Sequence, residues 1–479
     1  MLINKPLILS TGTGAAAAFT IDQSIRFNDD DNPYLSRTLS TAADGGKTYT
    51  FSWWQKRTVN KSIEIVFGTD LAFGNLANYI YFYNDTMQVW LQPTGNVLTT
   101  NRVFRDASAF YHCVFVHDST EAVASERLRL YVNGIRETSF SSITYPSLNS
   151  TGYFNSNTAH YIGGANTLSN RLDSYMAEIV FIDGQALDPS SFGEYNSSNI
   201  WIPKDVSGLT FGANGFHIDG RDSADLGDDE SGNGNDFTTS GLAAHDQVSD
   251  SPTNNFAVTN AVNSHSNVTL SEGNLKEVNS GTAIAYGSSS TILLTSGKWY
   301  VEWRLNTLVS NEYPVVGLYS TNKGRGAMST SYNFPGLNYP GSGYNDIGFG
   351  ANNGDRFEDN TTTSSWGNAY ANGNIAALAI DMDNKKIWFG HNNSGSFVWQ
   401  ASGDPAAGSN EANTKAFASD VVVGVGHYSS SSVTFNYGQD GTFGGTETAQ
   451  GNADGNGVGN FYYAPPTGFL AICTKNLGS

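Results

Sequence analysis

Cysteine is nearly missing from this 479-residue chain: Cys113 and Cys473 stand far apart, so no disulfide framework can be drawn and stability must come from packing. Positive charge is scarce as well. Lys and Arg number 25 against 44 Asp and Glu, a net charge of −19, and no run of Lys or Arg forms a basic stripe. Such a surface repels a polyanion, which argues against nucleic acid as a partner. Long apolar runs are absent too: the longest, Ala15 to Phe19 and Tyr111 to Val116, fall far short of the ~18 to 20 residues that a membrane span needs. A soluble chain without membrane insertion is predicted. Near the N-terminus, Lys5 is followed at once by Pro6 and then by the Gly/Thr-rich Leu7 to Ala18, a poor h-region for secretion.

What is present points to folded β-structure. Aromatic residues make up 13% of the chain, enough to build cores and to exclude general disorder. Short runs of Val, Ile, Tyr, Phe and Thr alternate with clusters of Gly, Asn, Ser and Asp, and helical periodicity is almost absent. Tyr49 to Trp53, Asn78 to Tyr83, Arg127 to Val132, Ala177 to Ile182, Trp299 to Leu305 and Ser432 to Tyr437 each read as a half-buried strand. Asn133-Gly134 and Asp183-Gly184 read as tight turns, and Asp188 to Phe192 as one helical turn capped by Asp188. The fold class is therefore all-β, two antiparallel β-sandwich (jelly-roll) domains in tandem. A polar, acidic stretch from Asp219 to Asn255 separates them. The organisation expected is an N-terminal arm over 1–20, a first sandwich over 21–203, an acidic Gly/Asn-rich connection over 204–261, and a second sandwich over 262–479.

Two stretches make the first sandwich resemble the laminin G-like and concanavalin A-like jelly rolls of bacteriophage virion proteins: Ser24 to Arg37 leading into Tyr49 to Trp54, and Tyr175 to Pro189. Leu130 to Gly134 and Tyr161 to Gly164 are similar to that family's inner strands. The second sandwich resembles the SPRY domain through Gly297 to Trp303, Val315 to Leu318 and above all Ile375 to Phe389, an apolar strand, a turn at Asp383-Asn384 and a strand ending in aromatics. Val433 to Gln439 and Tyr463 to Phe469 look like phage copies of that domain. The pairing implies a tail fibre or appendage. By analogy it also implies contact with other virion proteins through the N-terminal arm, a homotrimer, and a place on the particle surface after synthesis in the host cytoplasm.

The chemistry-bearing residues fit binding better than catalysis. A retaining glycosidase places two carboxyls ~5 to 5.5 Å apart, and no Glu-x-Asp-x-x-Glu pattern offers such a pair. Glu178 and Asp183 face opposite ways in a regular strand, and Glu302 has no acidic partner in its own. No Gly-x-Ser-x-Gly elbow occurs, and His112, His117 and His160 are scattered without zinc spacing. No enzyme activity is expected. No cofactor is implied except Ca²⁺, for which three acidic loops stand against a reading as Asx-turns: Asp29 to Asp31, Asp225 to Asp236, and Asp381 with Asp383. The foremost ligand candidates are Asp225, Asp228, Asp229 and Asp236. For a glycan or receptor on the host cell surface, Tyr332, Phe334, Tyr339 and Tyr344 in the Gly/Pro-rich Gly324 to Gly354 are the candidate site, with Trp366 and Tyr370 adjoining. The alternative is that these rings form a local mini-core. Of Trp53 and Trp54, one is expected in the core and the other on the surface. Host attachment is the expected function; the alternatives are a capsid-decorating or head-fibre protein and a polysaccharide-degrading tailspike.

Overall fold

The computed structural model describes residues 19–58, 61–69, 78–151, 154–164, 170–280, 285–308, 314–321, 334–337, 345–393 and 395–478. Among them there is no α-helix, only strands, turns and single 3₁₀ turns, and nothing helical is long and apolar enough to cross a membrane. The chain divides into two compact units that meet in sequence at Asn254 and Asn255.

The N-terminal unit packs two eight-stranded antiparallel sheets face to face. One is centred on Thr48–Arg57, between Tyr111–Asp118 and Ser174–Asp183; the other is centred on Tyr79–Tyr83, between Thr86–Leu91 and Ile63–Thr69. Strict alternation on Thr48–Arg57 sends Tyr49, Phe51 and Trp53 into the shared core, where Phe51 stacks on Phe67 at 4.5 Å. The opposite face of the same strand carries Trp54, stacked on His112 at 4.6 Å and closed over by Phe19, Ile21, Phe110 and Trp201. Both tryptophans are thus buried, and the expected surface ring is part of a second layer. Asn133-Gly134 makes the expected hairpin turn with φ of 50° and 76°. Asp183-Gly184 does not join paired strands. Its chain runs on to the 3₁₀ turn Pro189–Ser191, for which Asp188 supplies no side-chain cap.

The acidic stretch is not a connection. Phe216, Ile218, Leu226 and Phe237 enter the core of the N-terminal unit, Phe216–Ile218 pairs with Ser174–Asp183, and Thr238–Ser240 and Gln247–Val248 extend the edges of the two sheets. Composition hid this because each apolar anchor stands alone between polar turns. Two buried ion pairs fasten the segment: Arg26 to Asp246 at 3.3 Å, and Lys56 to Asp250 at 2.7 Å. Residues 255–261 belong instead to the C-terminal unit, where Phe256 pairs with Cys473.

The C-terminal unit is also a two-sheet sandwich. Its larger sheet runs Val268–Ser271, Lys276–Asn279, Ser432–Asn436, Lys298–Thr307, Ile375–Asp381, Lys386–Asn393 and Ser396–Trp399, with Leu470–Ala471 added parallel to Lys298–Thr307. The hairpin read from Ile375 to Phe389 is present, and its turn is set by Asp381, whose carboxylate accepts the Asn384 N–H at 2.9 Å. The second sheet is centred on Pro314–Ser320 between Val421–Tyr428 and Ile347–Gly350. Cys113 and Cys473 are both buried free thiols.

If the acidic segment is part of the N-terminal core, Phe237→Ala should cost about 3–5 kcal/mol. Asp250→Ala should cost a similar amount, because it strips the buried Lys56 of its carboxylate. Chemical denaturation followed by tryptophan fluorescence reads both; a free connection would leave the midpoint unchanged.

Candidate functional site: an aromatic corner on the C-terminal sheet

Alternation on Lys298–Thr307 puts Tyr300 and Glu302 on the face of the larger sheet that the chain's tail covers. Tyr300, Ala377, Ala379 and Trp388 from the sheet pack there against Val458, Phe461, Phe469, Ala471 and Cys473. Glu302 is fully buried under this cover. Its carboxylate accepts four hydrogen bonds: from the Tyr300 hydroxyl at 3.0 Å, the Asn436 amide at 3.2 Å, and the backbone N–H groups of Tyr462 at 2.8 Å and Tyr463 at 2.7 Å. Burial pushes the Glu302 pKa up to about 7, against the pull of those donors.

This carboxylate fixes where Tyr462 and Tyr463 sit. The rings of both remain half-buried, as do those of Phe397 and Trp399 on the edge strand Ser396–Trp399, while Val398 between them is 36% exposed. The four rings meet at one corner. Phe397 lies 4.5 Å from Tyr463, Tyr462 lies 5.0 Å from Tyr463, and Phe397 lies 5.2 Å from Trp399. Gly390 makes the corner possible: a Cβ there would stand 2.6 Å from the Phe397 ring and 2.9 Å from the Trp399 ring. Burial pushes the Tyr463 phenol up to about 12, aided by Tyr462, Glu302 and Glu447. Glu447 itself pairs with Arg304 at 2.7 Å. The corner offers apolar ring area and tyrosine hydroxyls beside the Arg304–Glu447 pair, a composition suited to binding an amphipathic ligand.

The sequence-derived site fares differently. Tyr332, Tyr339 and Tyr344 lie outside the described residues. Phe334 is buried, packing with Val315, Phe357 and Leu337. Tyr370 is buried as well, with its ring 4.3 Å from His391 and 5.1 Å from Phe349. Both are packing residues, because each ring turns into the sandwich rather than out of its loop. Trp366 alone of the described candidates keeps partial exposure, with an edge contact to Phe349 and the Arg356 guanidinium 5.6 Å from its ring. Phe349 brings Trp366 and Tyr370 together, whereas Phe334 belongs to a separate cluster.

Sequence reasoning missed Phe397, Trp399 and Tyr462. A signal existed in the alternate aromatics after Gly395 and in the Tyr462-Tyr463 doublet within a Gly/Asn-rich tail. Their meeting depends on a contact between Glu302 and Tyr462, 160 positions apart.

The acidic candidates for a cation are bonded to the chain itself. Asp229 accepts the N–H groups of His217, Ser231 and Asn235, Asp225 accepts that of Gly227, and Asp236 accepts that of Asp229. Asp228 has its pKa raised by burial and by the neighbouring Asp236 and Asp225. These are Asx-turn geometries, and no group of three or more His, Cys, Asp or Glu among the described residues could hold a metal ion. Glu178, held at φ 49° on a bulge, bonds His217, while Asp183 bonds Asn155 and Asn214. Ser431, His427 and Glu277 do line up in the order of a nucleophilic triad, at 3.0 Å and 3.2 Å. All three are at most 1% exposed, so no substrate reaches the serine.

The concanavalin A-like lectin/glucanases superfamily matches residues 29–190, within the N-terminal sandwich. No curated protein matches the chain. Among solved structures, the SPRY domain of human HERC1 is 15% identical with a TM-score of 0.24, over 35% of this chain and 91% of that one. Mouse laminin α1 domains LG4-5 are 10% identical with a TM-score of 0.29, over 88% and 90%. A putative carbohydrate binding protein from Bacteroides ovatus is 13% identical with a TM-score of 0.27, over 48% and 63%. Likenesses this remote carry no argument about function.

The Glu302 arrangement has a signed pH consequence. A carboxyl whose folded pKa, about 7, exceeds the ordinary 4.5 binds its proton more tightly when folded. The C-terminal unit is therefore favoured below the unfolded value and loses about 3 kcal/mol as pH rises through the folded one. Glu302→Gln should abolish that slope between pH 5 and 8, and it should lower stability at pH 8, since the amide nitrogen that replaces one carboxylate oxygen cannot accept the tyrosine N–H it faces. Denaturation midpoints across pH for both chains give the comparison; equal slopes would contradict the burial argument.

Proposed function

We propose that the chain is a non-enzymatic glycan-binding protein that attaches a particle to a host surface. Following its sequence resemblance, it is a tail fibre or appendage of a phage virion, on the particle surface, held to other virion proteins by residues 1 to about 20 and assembled as a homotrimer. Trimeric display would raise weak sugar binding by avidity. The observation that carries the glycan reading is the aromatic corner. Half-buried rings of Phe397, Trp399, Tyr462 and Tyr463 stand on a strand edge, held by Glu302 and Gly390 rather than by ligand. Preorganised aromatic faces with polar neighbours suit sugar C–H surfaces, since little ordering entropy is lost on binding. The lectin-like class matched by the N-terminal sandwich supports the same reading.

Ring truncations test it. Trp399→Ala and Tyr463→Ala should each weaken adsorption to host cells by about 1–2 kcal/mol and leave the N-terminal unit's unfolding unchanged. Phe334→Ala and Tyr370→Ala should do the reverse, lowering stability by about 3–5 kcal/mol with adsorption retained. Release of reducing ends from host polysaccharide, lost on changing a single carboxylate, would replace the adhesin by a tailspike. Light scattering that shows a monomer would remove the trimer.

A further inference from the structure

The ring planes at the corner carry information about what can lie on them. Phe397 and Trp399 are inclined at 85°, Tyr462 and Tyr463 at 73°, and Phe397 and Tyr463 at 41°. The flat face of a packed, crystalline polysaccharide touches several coplanar rings at once. No contacting pair among these rings is coplanar, so neighbouring rings do not form one flat platform. A single flexible chain, by contrast, can set one sugar against one ring and the next against its tilted neighbour. The corner also lies at the open edge of the sheet, because Ser396–Trp399 is its last strand. Among the described residues no further strand pairs beyond it.

Charge narrows the ligand further. The carboxylates of Glu302 and Glu447 both act on the Tyr463 phenol. The neighbouring cation, Arg304, is taken up by Glu447 at 2.7 Å and by Asn306 at 3.0 Å. The whole chain carries −19. A uronic or sialic acid arriving here meets the chain's excess of negative charge at long range, and the Arg304 guanidinium is already paired with Glu447. Hydroxyl groups meet suitable partners: the tyrosine phenols and the Arg304–Glu447 pair at the rim.

We propose that the Phe397, Trp399, Tyr462 and Tyr463 corner selects single, soluble chains of neutral sugars, and discriminates against anionic glycans and against the flat faces of crystalline polysaccharide. This rests on the glycan-binding reading above and adds the class of glycan.

The full chain and its Trp399→Leu form, which keeps apolar cover over Gly390, would be compared on four probes. These are neutral gluco- and manno-oligosaccharides read by calorimetry, soluble alginate as the anionic polymer read by calorimetry at low and high salt, and microcrystalline cellulose and chitin read by depletion. Thermal unfolding of both forms runs in parallel. The expected result is binding of a neutral oligosaccharide that falls at least tenfold in Trp399→Leu, with no ring-dependent adsorption to the solids and weak or absent alginate binding. Ring-dependent adsorption to cellulose or chitin, or salt-sensitive alginate binding tighter than that of every neutral probe, would overturn the selectivity while leaving a glycan site in place. Loss of ring dependence on all four probes would overturn the glycan reading itself, and the selectivity with it.

Discussion

Outward-facing apolar sheet surfaces that must be roofed by irregular chain are the constraint on which both units depend. The central strands of the N-terminal sheet that holds Thr48–Arg57, and of the larger C-terminal sheet, are apolar on two faces, so pairing the sheets into a sandwich buries only half of what needs burying. In the N-terminal unit, Val114, Val116, Val180 and Ile182 look away from the sandwich core and are closed over by Phe192, Val206 and Phe211. In the C-terminal unit, Tyr300, Ala377, Ala379 and Trp388 are closed over by the tail from Val458 to Cys473. Irregular roofing has backbone N–H groups with no ladder to satisfy them, and leaving such groups buried without partners is costly. Carboxylates supply the acceptors. Asp454 takes the N–H groups of Asn456, Val458 and Ala471, Glu358 takes those of Thr414 and Lys415, and Glu302 takes those of Tyr462 and Tyr463.

That role gives the acidic composition a structural meaning. Part of the excess of Asp and Glu over Lys and Arg sits inside, on turns and roof segments, as at Asp229 and Asp440 as well as the residues above. A carboxyl with its pKa raised to about 7 ordinarily suggests a general acid. At Glu302 the same shift follows from burial under the tail, and its four donors hold the group in place rather than hand it to a substrate. The aromatic corner is then a by-product of roofing. Where the tail reaches the sheet edge, Tyr462 and Tyr463 meet the edge-strand rings Phe397 and Trp399, and along this contact line aromatic area remains half-exposed.

Much of the fold was legible in the sequence, because period-two alternation and turn residues are local. Thr48–Arg57, Lys298–Thr307 and the Ile375–Phe389 hairpin follow directly from them. The segment read as a connection was not legible. Phe216, Leu226 and Phe237 are isolated among polar residues, and only long-range pairing with Ser174–Asp183 and Tyr34–Thr38 shows them to be core. The candidate site failed for a related reason. Aromatic density in a Gly-rich stretch does not tell a displayed ring from an inserted one, and Phe334 and Tyr370 are inserted. The half-exposed rings of the corner come from two stretches, 397–399 and 462–463, that only the fold brings into contact.

Hydrogen–deuterium exchange of the full chain with and without a bound neutral oligosaccharide tests the central claim most directly, because it locates the ligand without altering a residue. The account predicts added protection confined to residues 395–400 and 458–464, with the amides of Tyr462 and Tyr463 slow in both states because Glu302 holds them. Protection centred on residues 361–371, or anywhere in the N-terminal unit, with 395–400 unchanged, would contradict it.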